Sequence, residues 1–322
     1  MTRPVALSCG EPAGVGPELA LRAWEILGPG LPFFLIGDPA HLPGAPIVEI
    51  TEPSEAAHAC ESGLPVLPHV FDGPLTPGTP NPSHAQGVID VIARGVDLVQ
   101  SGAASALCTA PIHKQALQDG AGFAYPGHTE YLAALAGVED VVMMLSSDQL
   151  RVVPATIHIP LSQVPARLTP ARLEATIRVT HAALIRDFGI AAPRIAVAGL
   201  NPHAGEAGKM GREEIDMIAP LLGRLRADGL DLRGPLSADT MFHAAARARY
   251  DAAIAMYHDQ ALIPIKTLDF DRGVNVTLGL PFIRTSPDHG TALDIAGKGK
   301  ANPTSLIEAL KMAARLAAVR AA

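Results

Sequence analysis

The amino-acid sequence predicts an α/β protein with two lobes, and three observations lead to this class. The chain has 322 residues, which is long for one compact core and suits two α/β lobes. Hydrophobic residues make up 48% and charged residues only 18%, so folding buries much of the surface. Strand-like apolar runs alternate with helical patterns, which favours largely parallel sheets covered by helices. We expect residues 1–125 and 295–322 in a first lobe and residues 126–294 in a second.

Charge, apolar runs and cysteine usage exclude several classes of protein. The net charge is −7 with no basic block, so no nucleic-acid partner is expected, and an anionic substrate needs a local basic pocket. No apolar run reaches the roughly 18 residues of a transmembrane helix, so no membrane partner is expected. Residues 1–4 lead directly into a strand, which predicts no signal peptide. Three distant cysteines without a CxxC pair fit a cytoplasmic location.

The first element is an apolar strand over residues 5–9, followed by GEPAGVGPE at 10–18 and a helix over 19–27. This order is typical of a dinucleotide-binding turn, and Asp38, after a strand at 33–36, would then bind the ribose. The glycines, however, are spaced GxxxGxG instead of GxGxxG. The alternative is a tight turn that only joins strand to helix.

The next segment, residues 39–85, is rich in proline and glycine and predicts loops with surface histidines. A helix over 86–101 and a strand over 104–109 follow. His113 and Lys114 come directly after that strand, where they either contact an anion at a helix start or are simply solvated. The histidines of the loop segment are His41, His58, His69 and His84.

A second candidate anion site is GHTEY at residues 127–131, which opens a predicted helix. Polar side chains in the first turn, beside free backbone N–H groups, suit a bound phosphate. The alternative is that Thr129 only caps the helix. Further along, Thr169 and Pro170 predict the start of a long helix. The other expected elements are strands at 141–145, 150–155, 194–199, 252–256 and 274–278 and helices at 169–186, 213–228 and 304–321.

Three histidines, His158, His203 and His258, each follow an apolar strand run. Neighbouring parallel strands, or two subunits, can bring such strand ends together. Three neutral imidazoles with an open fourth position are typical of a catalytic zinc-type site. Three unrelated strand-end histidines are the alternative. Positive charge that suits a phosphorylated or carboxylated substrate comes from Lys266, Arg284, Lys298 and Lys300.

Five motifs together give the chain a specific family resemblance. They are GEPAGVGPE at 10–18, PGHTE at 126–130, LNPHAGE at 200–206, YHDQ at 257–260 and the stretch from 288 to 303. With them, the sequence resembles the 4-hydroxythreonine-4-phosphate dehydrogenase family from end to end. The last motif is also similar to the adenosine-binding loop of isocitrate and isopropylmalate dehydrogenases. The resemblance implies that fold type, with two α/β/α lobes and a cleft between them.

The resemblance also implies the partners and the site. It implies NAD or NADP and one divalent metal ion (Zn²⁺, Mg²⁺ or Co²⁺) per subunit of a homodimer, with the active site at the subunit interface. The second lobe would carry the metal ligands and the dimer contacts. The implied metal ligands are His158, His203 and His258, and the implied substrate ligands are His128, Thr129, Lys266, Asn275 and Arg284. We place the cofactor at His289, Gly290, Thr291, Asp294 and Asn302. Lys266 and Asp239 are candidates for proton transfer from their position alone.

The implied reaction is oxidation of 4-phosphooxy-L-threonine to 2-amino-3-oxo-4-(phosphooxy)butanoate, in pyridoxine 5'-phosphate biosynthesis. This β-keto acid decarboxylates to 3-amino-2-oxopropyl phosphate. Relatives that oxidise erythronate 4-phosphate or a cyclic diol share the same motifs and are alternatives. A zinc hydrolase also uses three histidines, but it leaves the loop at 289–303 unexplained. A non-catalytic metal-binding protein leaves Lys266 and Arg284 unexplained. Asp259 and Gln260 are expected to support the metal site.

Overall fold

The computed structural model describes residues 3–322, and the chain divides into two compact units. The first unit comprises Met1–Glu139 and Leu280–Ala322, and the second comprises Asp140–Gly279. Met1 and Thr2, which begin the segment predicted to carry no signal peptide, lie outside the described residues. Within residues 3–322, no helix has the length and apolar character needed to cross a membrane.

Strands and helices alternate along the described residues, as the sequence predicts. The strands are β1 (Val5–Ser8), β2 (Phe33–Gly37), β3 (Ile47–Glu49), β4 (Leu64–Pro68), β5 (Ala106–Thr109), β6 (Val142–Ser146), β7 (Arg151–Pro154), β8 (Arg194–Ala198), β9 (Asp231–Leu236), β10 (Ala252–Ala255), β11 (Val274–Leu278) and β12 (Arg284–Pro287). The helices are α1 (Gly16–Leu27), α2 (Ala56–Ala59), α3 (Ala85–Gln100), α4 (Lys114–Ala121), α5 (His128–Ala136), α6 (Val164–Arg167), α7 (Pro170–Arg186), α8 (Ala219–Ala227), α9 (Ala244–Arg247), α10 (His258–Asp269) and α11 (Thr304–Ala321).

The sheet of the first unit has the order β3-β4-β2-β1-β5-β12, and these neighbours pair in parallel. Strand β2 (FFLIG) is a continuous apolar run, as expected where helices cover both faces of a sheet, whereas β12 (RTSP) is polar in sequence. In β2, Phe33, Phe34 and Ile36 are fully buried. The carboxyl ends of β1, β5 and β12 bring the turns at 10–18, 110–114 and 288–303 to one edge, where ligands bind in such sheets.

The sheet of the second unit has the order β11-β6-β7-β10-β8-β9. Strands β7, β10, β8 and β9 are parallel, whereas β6 is antiparallel to both β7 and β11. Ala196, Ala253 and Ala255 are fully buried, and these small side chains let helix α10 pack closely on the sheet. The predicted start of α7 is confirmed, since the Arg172 N–H donates to Thr169 Oγ1 at 3.2 Å.

Several elements were absent from the sequence prediction, among them strands β9 and β12. Strands β3 and β4 and helix α2 form within the segment predicted as loops. Strand β4 was missed because its sequence, LPVLP, contains two prolines, which are unusual within strands. The boundaries between the units also differ from those predicted. Residues 126–139 belong to the first unit because α5 packs on α3, and residues 280–294 belong there because β12 pairs with β5.

The prediction of surface histidines is wrong for His84. This side chain is 1% exposed and lies at the start of α3. Its ring centroid is 5.5 Å from that of His41 and 5.7 Å from that of Phe71. Neither ring nitrogen has a hydrogen-bond partner in the described part of the chain. His84 thus packs as an aromatic core residue, whereas His58 is exposed as predicted.

Candidate active site

Two of the three strand-end histidines come together in the second unit. Strands β7 and β10 are parallel neighbours, with Pro154 opposite Ala255, and His158 and His258 follow their carboxyl ends. The two imidazole centroids are 5.8 Å apart. Both rings line a cavity of about 350 Å³ together with Ile157, Leu161 and Tyr257. This spacing lets both rings reach one small ligand.

The first turn of α10 orients His258 and fixes the end of β10. Nδ1 of His258 lies 2.7 Å from Asp259 Oδ1, which leaves Nε2 available to a ligand. Gln260 accepts from the Met256 N–H at 2.7 Å and donates to the Gly199 carbonyl at 2.8 Å. Gln260 therefore links the end of β10 to the end of β8, the strand that leads to His203.

The segment that carries His203 has a left-handed backbone. The turn Pro202–Gly208 has positive φ angles from His203 (52°) through Ala207 (56°). Such a conformation costs about 1–2 kcal/mol per non-glycine residue and persists only where the surroundings impose it, often at functional sites. In the described residues, the non-glycine positions with positive φ are His158, His203, Ala204, Glu206, Ala207 and Ala292. All of them lie in or beside segments that the sequence singled out.

The fit of these residues to a divalent metal ion is partial. Imidazole nitrogens suit Zn²⁺ and Co²⁺, and the pair formed by His158 and His258 fits two positions of a coordination shell. Between residues 3 and 322, no three or more His, Cys, Asp or Glu side chains converge to hold a metal ion. His203 is therefore not joined to the pair within one chain.

The first unit contains a buried cation, Arg284, at the start of β12. Its side chain is 3% exposed, and both Nε (3.2 Å) and a terminal nitrogen (2.7 Å) donate to Thr109 Oγ1 at the end of β5. Burial lowers the pKa of Arg284 to about 10, so it remains charged at neutral pH. Cys108 and Glu130 act in the opposite direction and raise this pKa. A guanidinium in this position suits an anionic ligand.

The start of α5 adds further polar groups to this region of the first unit. The pKa of His128 lies well below 6.5 because of burial and of the positive charges of Arg284 and Lys114, so the imidazole is neutral. Its buried Nε2 has no hydrogen-bond partner within the described chain. Gly127 is the N-cap and provides no side-chain cap. The alternative that Thr129 caps the helix is therefore wrong, and the first N–H groups stay available to an anion.

Lys114 adds a second cation to this region. From the sequence, contact with an anion and a solvated side chain were the two alternatives for this residue. It is the first residue of α4. A Cβ atom placed on Gly127 would lie 3.5 Å from Lys114 Nζ, so the ammonium group lies beside the N-cap of α5. We call Lys114, His128, Thr129 and Arg284 the cationic cluster.

The remaining predicted substrate and proton-transfer residues lie in the second unit. Lys266 lies on α10 and lines a cavity of about 390 Å³ with His258 and Asp259. Asn275 lies on β11, and its Oδ1 is buried without a hydrogen-bond partner in the described residues, which favours a ligand there. Asp239 is exposed and accepts from Ser237 Oγ at 2.7 Å. Its turn, Ala238–Thr240, packs against the turn of His203.

The predicted cofactor loop lies in the first unit. Nδ1 of His289 is 2.8 Å from the Gly290 carbonyl, and its buried Nε2 has no partner within the described residues. Asn302 Oδ1 accepts from both the N–H and the hydroxyl of Thr304 at the start of α11. The carbonyl of Thr291 accepts from the N–H of Val15 at 3.0 Å.

This contact explains the unusual glycine spacing at residues 10–18. Gly14 must approach the 291 carbonyl closely, since a Cβ there would lie 2.9 Å from it. The N–H groups of Ala13 and Val15 already donate to protein acceptors, so they are not free for a pyrophosphate. Asp38 is also occupied, because its two oxygens accept from the N–H groups of Ala40 and Phe71. The dinucleotide interpretation of the N-terminal turn is thus not supported by its geometry.

Comparison with known proteins identifies the family. The family described as pyridoxal phosphate biosynthetic protein PdxA matches residues 34–313. The chain belongs to the PdxA family. It is 68% identical over 319 residues to the 4-hydroxythreonine-4-phosphate dehydrogenase of Roseobacter denitrificans (strain ATCC 33942 / OCh 114), covering 98% of each chain. The predicted family is therefore confirmed.

Solved structures show the fold of PdxA-family proteins. The 4-hydroxythreonine-4-phosphate dehydrogenase from Klebsiella pneumoniae is 40% identical, with a TM-score of 0.91 over 98% of both chains. A terephthalate 1,2-cis-dihydrodiol dehydrogenase from Burkholderia xenovorans LB400 is 27% identical, with a TM-score of 0.67 over 98% of both chains. The predicted α/β fold class is confirmed, and dehydrogenases with different named substrates share it.

Proposed function

We propose that this PdxA-family chain oxidises 4-phosphooxy-L-threonine to 2-amino-3-oxo-4-(phosphooxy)butanoate with NAD or NADP. The product, a β-keto acid, then loses CO₂ to give 3-amino-2-oxopropyl phosphate. The observation that carries this proposal is 68% identity to a relative named 4-hydroxythreonine-4-phosphate dehydrogenase, over 98% of both chains. The pair of imidazoles from His158 and His258 and the two cations Arg284 and Lys114 also support it.

The proposed metal ligands are His158, His203 and His258. The first and third already lie as a pair, and a second copy of the chain would complete the set with His203. A bound divalent ion supplies Lewis-acid polarisation of the substrate hydroxyl and lowers its pKa. Asp259 would hold Nδ1 of His258 as donor, which keeps Nε2 directed to the ion.

Oxidation of the substrate hydroxyl also requires transfer of a hydride and of a proton. NAD or NADP would supply the acceptor for the hydride of the substrate C3–H bond, and a protein base would accept the hydroxyl proton. Lys266 and Asp239 are the proposed bases. Lys266 has the better geometry, since it and His258 line one cavity, whereas Asp239 is exposed.

The cationic cluster is the proposed site for the phosphate of the substrate. Two cations, Arg284 and Lys114, and the first N–H groups of α5 suit a phosphate, although the carboxylate of Glu130 lies beside the same N-cap. The neutral His128 can donate or accept one hydrogen bond without adding to the charge. Thr129 completes the group. In the second unit, Lys266 and Asn275 are the proposed further substrate ligands.

The loop at 288–303 is the proposed cofactor site. His289, whose buried Nε2 lacks a partner in the described part of the chain, is the group there that most needs a ligand. The positive φ of Ala292 (46°) marks the loop as a strained segment. Gly290, Thr291, Asp294 and Asn302 are the other proposed cofactor residues.

A homodimer is proposed from exposed apolar side chains of the second unit, two of which line cavities with His258. Leu161 is 67% exposed, Ile263 63% and Phe270 70%, and all three belong to the second unit. Leu161 and Ile263 also line the two cavities that include His258. Burial of such side chains against a second copy would stabilise a dimer and bring a third histidine to the pair.

A substrate panel scored by NADH or NADPH formation tests the proposed reaction. The panel contains 4-phosphooxy-L-threonine, erythronate 4-phosphate and a cyclic cis-dihydrodiol, because dehydrogenases with this fold act on different hydroxy compounds. We expect the phosphothreonine to give the highest kcat/KM. A higher value for either of the others would contradict the proposal. Titration with NAD in the same samples excludes a zinc hydrolase if it gives saturable binding.

A further inference from the structure

A buried carboxylate, Glu214, holds the base of the left-handed turn that carries His203. The side chain is 3% exposed and begins the π-helical turn Glu214–Ile218, which precedes α8. Its Oε1 accepts from the Asn201 backbone N–H at 2.8 Å, and its Oε2 accepts from Asn201 Nδ2 at 3.1 Å. Asn201 is the N-cap of the turn, and its Nδ2 also donates to Glu213 Oε2 at 2.7 Å. Glu214 therefore holds the main chain of Asn201 and shares its side chain with Glu213.

Glycines make room for this carboxylate. A Cβ atom on Gly205 would lie 2.6 Å from Glu214 Oε2, and one on Gly199 would lie 3.0 Å from Oε1. On the opposite side, a Cβ on Gly211 would lie 2.2 Å from Asn201 Nδ2. The chain therefore wraps closely around the contact between Asn201 and Glu214, on both sides of His203 in the sequence.

The same contact is connected to the other histidines. Gly199, against which Glu214 lies, accepts a hydrogen bond from Gln260, two residues after His258. A displacement of the turn would therefore disturb both the segment of His203 and the end of β10. Gly205 and Gly208 suit this shape, but the other four residues with positive φ in the turn are not glycines and are strained by it. The surroundings must impose this shape, and Glu214 is the buried polar group that contacts it.

We propose that Glu214 is a positioning residue, which holds the left-handed turn so that His203 presents its imidazole to the metal ion. This inference rests on the proposed role of His203 as a metal ligand. Glu214 does not touch the metal or the substrate in this role and acts only through His203. A glutamine at 214 can still accept one hydrogen bond, but its NH₂ group would face the N–H donor of Asn201, so the contact is lost in part.

The test is the affinity of the full-length protein for Co²⁺, measured by competition with a chromophoric chelator. We expect Glu214→Gln to weaken Co²⁺ binding about 10- to 100-fold, the usual range for partners of metal ligands. The visible absorption of bound Co²⁺ should change as well, because it reports the ligand set. Asp216→Asn, which removes an exposed ion pair in the same helical turn, should change the affinity less than about twofold.

A double variant separates positioning from general stability. If Glu214 acts through His203, the Glu214→Gln change adds no further loss to His203→Ala, because that ligand is already gone. An additive loss would overturn the inference and leave a purely structural role. If Glu214→Gln does not fold, Asn201→Ala removes the side-chain bonds to Glu214 and Glu213 and keeps the backbone bond to Glu214, with the same expected non-additivity.

The outcomes also distinguish the inference from the proposed function. If His203→Ala leaves the Co²⁺ affinity unchanged, the ligand assignment is wrong and the positioning role is overturned with it. If His203→Ala weakens binding while Glu214→Gln does not, the ligand assignment stands and only the positioning role is overturned. Weakening by both, without additivity, supports both.

Discussion

In the first unit, the side chain of His128 makes the stability of the folded protein depend on pH. Burial and the charges of Arg284 and Lys114 lower the pKa of His128 well below its ordinary value of 6.5. In the unfolded chain the same imidazole regains that ordinary pKa. Below about pH 6.5 the unfolded state therefore binds more protons than the folded state, and the folded state loses stability.

The first prediction follows from this difference in proton binding. The contribution of His128 to the free energy of unfolding is complete above pH 6.5. It falls by up to about 1.4 kcal/mol per pH unit as the pH decreases toward the folded-state pKa. In urea unfolding between pH 7.5 and 5, His128→Gln should show a shallower loss of stability than the wild type. The exposed His58→Gln should behave as the wild type, and equal slopes for all three would contradict the assignment.

A second prediction concerns Lys114, whose ammonium group lies beside the N-cap of α5. If it binds the substrate phosphate, Lys114→Met should raise KM for 4-phosphooxy-L-threonine about tenfold, with little change in kcat. Competitive inhibition by inorganic phosphate should weaken by the same factor. Lys311→Met, on the exposed side of α11, is the control. An unchanged inhibition constant for phosphate would show that Lys114 is not part of the site.

At the level of secondary structure, the sequence predicts some elements of the site and not others. Strand ends with histidines are visible in the sequence, because apolar runs reveal β7, β8 and β10. The left-handed turn of His203 is not visible, since Ala204 and Ala207 give no sign of positive φ. Nor is Glu214, because an acidic residue in a helical pattern usually faces solvent. Such features depend on packing between segments distant in the sequence, as does the burial of His84.

Strands were missed for a related reason. Strand β4 contains two prolines, and β12 begins with Arg284, so neither reads as an apolar run. Both are nevertheless buried in the sheet of the first unit, where pairing with neighbours outweighs local propensity. The missed β12 also explains the shifted unit boundary. Residues 280–294 contain this strand and the start of the cofactor loop, and they belong to the first unit.

The third prediction tests the tight packing around the left-handed turn. Gly205 has a φ of +79°, and a Cβ there would lie 2.6 Å from the buried Glu214 Oε2. Gly205→Ala should therefore cost about 1 kcal/mol or more and lower Tm by several degrees in calorimetry. Gly223→Ala is the matched control, because no heavy atom lies within 4 Å of its Cβ position in α8. We expect it to be neutral or slightly stabilising. A Tm of Gly205→Ala equal to the wild type would contradict the packing argument.

The whole molecule is expected to work as a pair of chains. One chain brings two histidines together, and the apolar side chains around them are exposed. Association of two copies would bury these side chains and supply the missing imidazole. Assembly and metal binding would then depend on each other, since each stabilises the arrangement that the other needs.

The fourth prediction tests this association. Ile263, on α10, and Ile26, on α1, are both 63% exposed, so they form a matched pair. Ile263→Glu should convert a dimer to a single chain in size-exclusion chromatography with light scattering. It should also weaken metal binding. Ile26→Glu should leave both properties unchanged. A dimer that survives Ile263→Glu would place the interface elsewhere.

The most direct test of the central claim measures NADH formation from 4-phosphooxy-L-threonine by metal-stripped protein before and after addition of Co²⁺ or Zn²⁺. We expect stripped wild-type protein to be inactive and to regain activity with the metal, whereas stripped His258→Ala should regain little or none. Full activity in the stripped wild type, or in the His258→Ala variant, would contradict a metal-dependent oxidation at the paired histidines.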